Sequence, residues 1–351
     1  MLIIRHSVVF VVLLVLLSGC NTGKRVDGTH DQQAVIGFYN LENLFDTIDA
    51  PGVNDEEFTP QCVKQWTSAR YAAKLNNMAE VIASLGDTIG KGGPAIMGLC
   101  EVENINVVND LIANKHLADL GYQVVHQDSP DKRGIDVALL YRPDFFQLDQ
   151  VTALPLYIYD QEDGERIYTR DQLLVSGLLL GEKVHVVVNH WPSRYGGEER
   201  SRPSRRVAAE LSRAIVDSLQ AIDNAAKVIL MGDLNDDPDN ISVKEVLKAI
   251  KAAELNEAKD LYNPYADMHV EGVGTLCYRG FWNMFDQIVL TQSLMDTENG
   301  LSFEKAYIYN HDRLKVADGK YKGYPYRTYV GKRYDGGYSD HFPVYIVLNK
   351  Y

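Results

Sequence analysis

The stretch Lys227-Val228-Ile229-Leu230-Met231-Gly232-Asp233-Leu234-Asn235-Asp236-Asp237-Pro238 runs an apolar strand directly into a turn rich in acids and amides. Side chains alternate across a strand, so Asp233 and Asn235 are expected on one side of its C-terminal end, where open α/β sheets hold their ligands. A carboxylate beside an amide can orient water and grip a phosphoryl oxygen. Asp and Asn also favour turns in which they cap their own backbone. The stretch alone leaves both readings open.

Around it lie 351 residues, enough for one large domain or two small ones, and 46% hydrophobic content provides for a real core. The 35 Lys+Arg and 48 Asp+Glu give a net charge of −13, which argues against a protein that holds polyanions by bulk electrostatics. A local basic strip or a bound divalent cation can still invert the field where a phosphate sits. Arg5 precedes an apolar run from Val8 to Leu17, too short for the ~20 residues a membrane span needs. Leu17-Ser18-Gly19-Cys20 then resembles a bacterial lipoprotein cleavage box, with an ordinary secretory signal as the alternative. The expectation is a signal peptide over 1–19, a polar tether over 20–33, and an exported chain held on a membrane of the cell envelope through lipidated Cys20. Only Cys62, Cys100 and Cys277 remain, so one disulfide at most can form, and Cys100 in its apolar strand reads as a free buried thiol. No cysteine spacing suggests structural zinc.

No repeat or Pro/Gly/Ser linker divides residues 34–351, which read as one domain. Helical spacing places helices at Trp66 to Leu85, Asn104 to Leu120, Arg205 to Ala221 and Ser242 to Ala253. Strands are expected at Val35 to Tyr39, Pro94 to Leu99, Tyr122 to His126, Ile135 to Tyr141, Leu148 to Tyr159, Arg166 to Thr169, Leu173 to Leu180, Val184 to Asn189, Lys227 to Met231, Asp286 to Leu290, Lys305 to Ile308 and Pro343 to Leu348. Their hairpin-like pairing predicts mixed sheets.

Nearly every apolar strand end carries a residue of one chemical set: Asn40, Glu101, His190, Asp233 with Asn235, Asp286, and Asp340-His341. Each alone has a structural explanation. Together, oxygen-rich groups with two histidines suit a hard cation with phosphate-binding groups around it.

The segments Tyr39-Asn40-Leu41-Glu42, Gly98-Leu99-Cys100-Glu101, Arg133-Gly134-Ile135-Asp136-Val137-Ala138, Val188-Asn189-His190, Gly232-Asp233-Leu234-Asn235, Met284-Phe285-Asp286 and Tyr338-Ser339-Asp340-His341-Phe342-Pro343 occur in this order. The set resembles the endonuclease/exonuclease/phosphatase superfamily, whose members include deoxyribonucleases, inositol polyphosphate 5-phosphatases and sphingomyelinases. That resemblance implies a four-layer α/β/β/α sandwich of two mixed β-sheets flanked by helices. It implies Glu101 as principal metal ligand with Glu42 and Asp340 in support, and Mg2+ or Mn2+ as the ion. It implies Asp233 acting on water, His341 buttressed by Asp286, His190 facing the phosphate, and Asn40 and Asn235 donating to the phosphate or positioning the ligands. Arg170 resembles an arginine that some relatives place near the phosphate. Many relatives carry a Tyr or His after the mid-chain strand, and here Tyr141 is the candidate.

Two stretches bear on substrate. His190 to Gly197, with Arg194, leads through Arg200, Arg202, Arg205 and Arg206 and resembles a segment of secreted bacterial nucleases. From Asn310 to Ser339, Arg313, Lys315, Lys320, Lys322, Arg327, Lys332 and Arg333 interleave with six tyrosines. Alternating cations and aromatics suit an extended polyanion whose bases can stack, while tyrosines also simply pack long loops. The reading is a metal-dependent nuclease acting on nucleic acid, a monomer without protein partners. The alternatives are a phosphatase or phosphodiesterase for inositol phosphates or phospholipid headgroups, and an inactive lipid-anchored binding protein.

Overall fold

The computed structural model describes residues 32–87, 92–298 and 300–351. The signal segment, Cys20 and nearly all of the tether lie outside the described residues. The first strand, Gln32–Leu44, begins inside the segment expected to be tether, because Gln32 and Gln33 pair with Lys350 and Asn349 of the last strand.

Two mixed sheets form the framework. In spatial order the first holds Leu301–Ile308, Val344–Lys350, Gln32–Leu44, Ile96–Val102, Asp136–Tyr141 and Gln123–His126. The second holds Ala249–Ile250, Leu261–Tyr262, Asp286–Thr291, Lys227–Asp233, Glu182–His190, Gln172–Leu179 and Phe146–Leu154. Each sheet has a parallel pair near its centre, Gln32–Leu44 beside Ile96–Val102 and Glu182–His190 beside Lys227–Asp233. Antiparallel strands flank both pairs.

The strand alternation decides the layers. Ala34, Ile36 and Phe38 share one apolar cluster with Val186, Val188, Ile229, Met231 and Ile288 of the other sheet, so these residues fill the space between the sheets. Val35, Tyr39 and Leu99 point outward onto Leu75, Met78 and Ile82 of the helix Ser68–Ser84 and Val107 and Leu111 of the helix Ile105–Ile112. Val228, Leu230 and Val289 cover the other outer face with Ala208, Ala209 and Val216 of the helix Glu198–Ile222. The result is the four-layer α/β/β/α sandwich.

Several elements differ from the expectation. The long helix starts at Glu198 and keeps Pro203 inside its early turns, where the missing N–H costs one backbone bond. Ser242 to Ala253 is no α-helix: a five-residue turn of helix ends at Val246, Lys248 adopts a left-handed φ of 60°, and Ala249–Ile250 joins the sheet edge. Leu148 to Tyr159 divides into Phe146–Leu154 and the short Ile158–Tyr159. Cys100 is a free buried thiol, and Cys62 and Cys277 are also free. Among the described residues no helix is long and apolar enough to cross a membrane.

Two glycines set close approaches. A Cβ on Gly232 would lie 2.4 Å from the backbone oxygen of Asn189, whereas one on Gly98 would meet the Sδ of Met231 at 2.4 Å. A strand backbone yields less than a methionine side chain. Gly232→Ala should therefore lose about 1–3 kcal/mol of stability, and Gly98→Ala clearly less. Urea denaturation with m-values compared checks the order, and equal losses would contradict it.

Candidate active site

The site grows out of the inward-facing columns. Asp233 pairs in register with His190 on one neighbouring strand and with Asp286 on the other. Asn40 continues the inward row Ala34, Ile36, Phe38 in the facing sheet. Columns that are apolar through the core thus end in Asn40, His190, Asp233 and Asp286, all buried. Beyond these positions the chain turns sharply: Glu42, Asn43, Glu101 and Asn235 all have left-handed φ, between 50° and 60°. Pairing registers shift between Asn40 and Leu44 and between Cys100 and Val102, so Glu42 and Glu101 sit on bulges that re-aim their side chains. Four non-glycine residues in this strained region, gathered at one end of the sandwich, mark it as functional ground.

The polar groups bond across the two sheets. Asn40 Nδ2 donates to Asp233 Oδ2 at 3.0 Å, and the Glu42 N–H donates to Asn40 Oδ1 at 2.9 Å, which fixes the amide's orientation. The Asn235 N–H donates to Asp233 Oδ1 at 2.9 Å. The turn is self-capping and the carboxylate is part of the polar array at once. His341 Nδ1 lies 2.6 Å from Asp286 Oδ2, leaving Nε2 3.9 Å from Asp233 Oδ2. On the other flank His190 Nε2 is 3.8 Å from both Asp233 Oδ2 and Glu101 Oε1. Those gaps exceed hydrogen-bond length, so neither histidine's Nε2 is hydrogen-bonded to these carboxylates.

Burial gives these groups unequal charges. Asp233 is pushed up to about 7, first by burial and then by Asp286 and Glu101, against the pull of His341 and the Asn235 N–H. Burial works against a charge on His341, but Asp286 and Asp233 outweigh it and hold the imidazolium well above the ordinary histidine range. His190 goes the other way: burial, then the positive charges of Arg170, Arg133 and His341, keep it neutral.

The carboxylates expected to hold a cation lie beside this array. Glu101 Oε2 accepts the Asn43 N–H at 2.9 Å, next to Glu42 in the chain. Glu42 and Asp340 are joined by Arg327, whose Nε donates to Glu42 Oε1 at 3.1 Å and whose Nη2 donates to Asp340 Oδ2 at 2.8 Å. Asp233, Asp286 and His341 offer atoms within 4.8 Å of one another, as do Cys100, His190 and Asp233, whereas Glu42, Glu101 and Asp340 do not form such a group. Their donor chemistry still fits a hard divalent cation, being carboxylate oxygen throughout.

Several expected phosphate contacts have other duties. Asn235 Nδ2 donates to the Trp191 carbonyl at 3.0 Å, so its amide braces the histidine strand. Arg170 is buried, donating to Asp131 Oδ2 and to the Trp191 carbonyl, each at 2.8 Å. Its charge reaches His190 from behind. Arg194 is spent on Glu198, Asp236, Asp237, Asn240 and the Asn235 carbonyl, with its guanidinium over the Phe285 ring. Arg205 is fully buried against Asp236, while Arg202 and Arg206 pair with glutamates of their own helix. Tyr141 stands opposite Ile96, at the far end of the sheet from Cys100 and Glu101.

Three residues to which the sequence reading gave no individual site role complete the site. Ser339 Oγ donates to the Asn40 carbonyl at 2.7 Å and accepts the His341 N–H at 3.1 Å. Lys74, a fully buried lysine pushed down to about 8 by burial, lies 4.0 Å from Glu42. Arg327 is the third. Lys74 carried a usable signal, since its position falls on the buried stripe of its helix.

A chain whose inward strand ends gather paired acids, two histidines and an oxygen-only carboxylate group has the layout of a phosphoester hydrolase. A profile described as the Endonuclease/Exonuclease/phosphatase family matches residues 35–350, and the chain belongs to that family. Among solved structures it is similar to an endonuclease/exonuclease/phosphatase family protein from Bacteroides thetaiotaomicron, with 18% identity and a TM-score of 0.53, covering 91% of this chain and 95% of that one. A mannosyl-6-phosphatase of the same organism has 17% identity and a TM-score of 0.52, covering 90% and 99%. D. rerio TDP2, complexed with single strand DNA product, has 14% identity and a TM-score of 0.52, covering 91% and 100%. At these identities the likeness shows the fold. A comparison with curated proteins gives no match.

If Asp286 holds the charge of His341, Asp286→Asn should bring that imidazole's pKa down by at least about one unit, the scale of a lost charge partner. NMR titration of the histidine resonances reads this directly, and an unmoved His341 would contradict the assignment.

Proposed function

We propose that the chain hydrolyses phosphodiesters in nucleic acid by in-line attack of water assisted by a divalent cation, Mg2+ or Mn2+. The observation that supports this most is the single array Asp286–His341–Asp233–Asn40, a buried acid of raised pKa facing a charged histidine. Asp233 takes the proton of the attacking water; a pKa of about 7 matches a base working near neutral pH. Asn40 fixes one of its oxygens, and the Asn235 N–H fixes the other. His341, kept cationic by Asp286, faces the phosphate and offers a proton or a charge at Nε2. His190 is neutral and serves as a hydrogen-bonding partner. Glu101, with Glu42 and Asp340, would hold the cation, which supplies charge stabilisation at the phosphoryl oxygens and the leaving oxyanion.

Nucleic acid as the substrate is supported by Lys320, Lys322 and Lys332, exposed on the loop before Asp340 and forming no ion pair among the described residues. Exposed Tyr321 lies beside them. The loop offers less than its composition suggests. Arg313 pairs with Glu80, Lys315 with Asp312 and Arg333 with Asp335, and Tyr324, Tyr329 and Tyr334 pack on Trp282, Trp66 and one another. That internal pairing supports a second reading, a phosphatase or phosphodiesterase for a smaller phosphoester. We also propose export and attachment to the envelope membrane through Cys20, as a monomer without a protein partner.

A substrate panel of single-stranded and duplex DNA, RNA, sugar phosphates and inositol phosphates, with Mg2+, Mn2+ or EDTA, tests the reading. Activity should vanish with EDTA and fall at least about a thousandfold in Glu101→Ala and Asp233→Ala, in the range of lost electrostatic and acid–base groups. Turnover that survives either change sinks the mechanism. Charge reversal at Lys320, Lys322 and Lys332 should weaken a polynucleotide far more than a small phosphodiester, and equal effects would favour the second reading.

The pH profile follows from the shifts. Asp233 acts as the carboxylate, so kcat/KM rises with pH through its value of about 7, or lower once a cation sits nearby. His341 acts as the cation, so the rate falls again above its raised pKa. A rate that neither falls on the acid side as Asp233 is protonated nor falls on the alkaline side as His341 loses its proton would remove both assignments.

A further inference from the structure

The guanidinium of Arg327 bridges Glu42 Oε1 and Asp340 Oδ2, yet the segment that carries it is held without its help. The Thr328 N–H donates to Glu42 Oε2 at 2.7 Å. Lys74 Nζ donates to Thr328 Oγ1 at 2.7 Å and to the Tyr338 carbonyl at 2.5 Å, closing the neck of the 328–338 loop. Asn77 Nδ2, one helical turn further, donates to the carbonyls of Gly336 and Gly337. The backbone beside Arg327 is therefore fixed, while its side chain stays 44% exposed at the mouth of the site. A brace would be redundant there, and a brace needs no open face.

We propose that Arg327 is a ligand of the substrate phosphate, resting on Glu42 and Asp340 until a divalent cation takes those oxygens. This rests on the reading that these carboxylates, with Glu101, hold such a cation. Guanidinium and cation compete for the same carboxylate oxygens and repel each other. A bound cation would free the fork of Arg327 from both carboxylates while the backbone beside it stays held, and the freed guanidinium would be available to the substrate phosphate. A planar fork with parallel donors matches two phosphoryl oxygens. Its departure would also free Glu42 Oε1 and Asp340 Oδ2, the two oxygens it now holds, for an ion.

The test uses the domain in an Asp233→Asn background, so that binding is read without turnover. Calorimetry measures Mn2+ affinity alone, then inorganic phosphate affinity for the Mn2+-loaded protein. Arg327→Met should bind Mn2+ about tenfold more tightly and phosphate about tenfold more weakly, the size of one nearby charge on a partly exposed site. Arg327→Lys, which keeps the charge and loses the fork, should hold Mn2+ near the unsubstituted affinity and recover only part of the phosphate affinity. Unchanged affinities in Arg327→Met overturn the proposal alone, as does weaker Mn2+ binding together with a lowered Tm, which would make Arg327 a brace. If the protein with Arg327 intact binds no Mn2+, the cation site falls and the exchange falls with it.

Discussion

The hydrogen bond from Asn40 to Asp233 joins the two sheets at their polar end, and the site takes its shape from it. Each partner is the last inward position of a central strand, so the bond fixes how far one sheet can slide on the other. A slip of one residue would turn every inward side chain of that strand outward and set Asn40 or Asp233 against apolar neighbours. The apolar columns above set the register, and the polar end records it.

Charge is managed locally in a chain of net −13. In the turn after Lys227–Asp233, the acids divide their tasks by which cation they meet. Asp236 meets Arg205 and Arg194, and Asp237 meets Arg194 and the Met284 N–H, so both anchor the turn. Asp233 meets no guanidinium and faces two imidazoles instead. Arginines placed behind the site hold its walls; the acid left without one is available for chemistry.

What could be read beforehand follows from locality. The inward alternation of Lys227–Asp233 and Glu182–His190 is written in their residues, and so are the polar ends of those strands. The bulges at Glu42 and Glu101 are not, because each arises from how two neighbouring strands stagger. Arg194 and Arg205 looked like a basic surface since ion pairing depends on acids forty residues or roughly thirty residues away in the chain, brought close by the fold. Ser242 to Ala253 carries helical spacing at Val243, Val246, Leu247 and Ile250, yet pairing of Ala249–Ile250 with Leu261–Tyr262 extends the chain there. Tertiary contact overrode local preference.

The two histidines show how position alone assigns opposite roles to one side-chain type. His341 emerges beside Asp286, whose carboxylate is committed to its Nδ1, so a proton stays on the ring despite burial. His190 sits one strand beyond Asp233, with Arg170 behind it and no carboxylate within 3.5 Å, so its ring stays neutral. Asp233 lies between them and feels both states: the charged ring favours its ionised form, and burial opposes it. Because Asp286, Asp233 and His190 occupy one row across three strands, the gradient from charged to neutral is a property of strand order. Moving the proton to His190 would require a carboxylate bonded to that ring, and Glu101 and Asp233 both stand 3.8 Å from its Nε2.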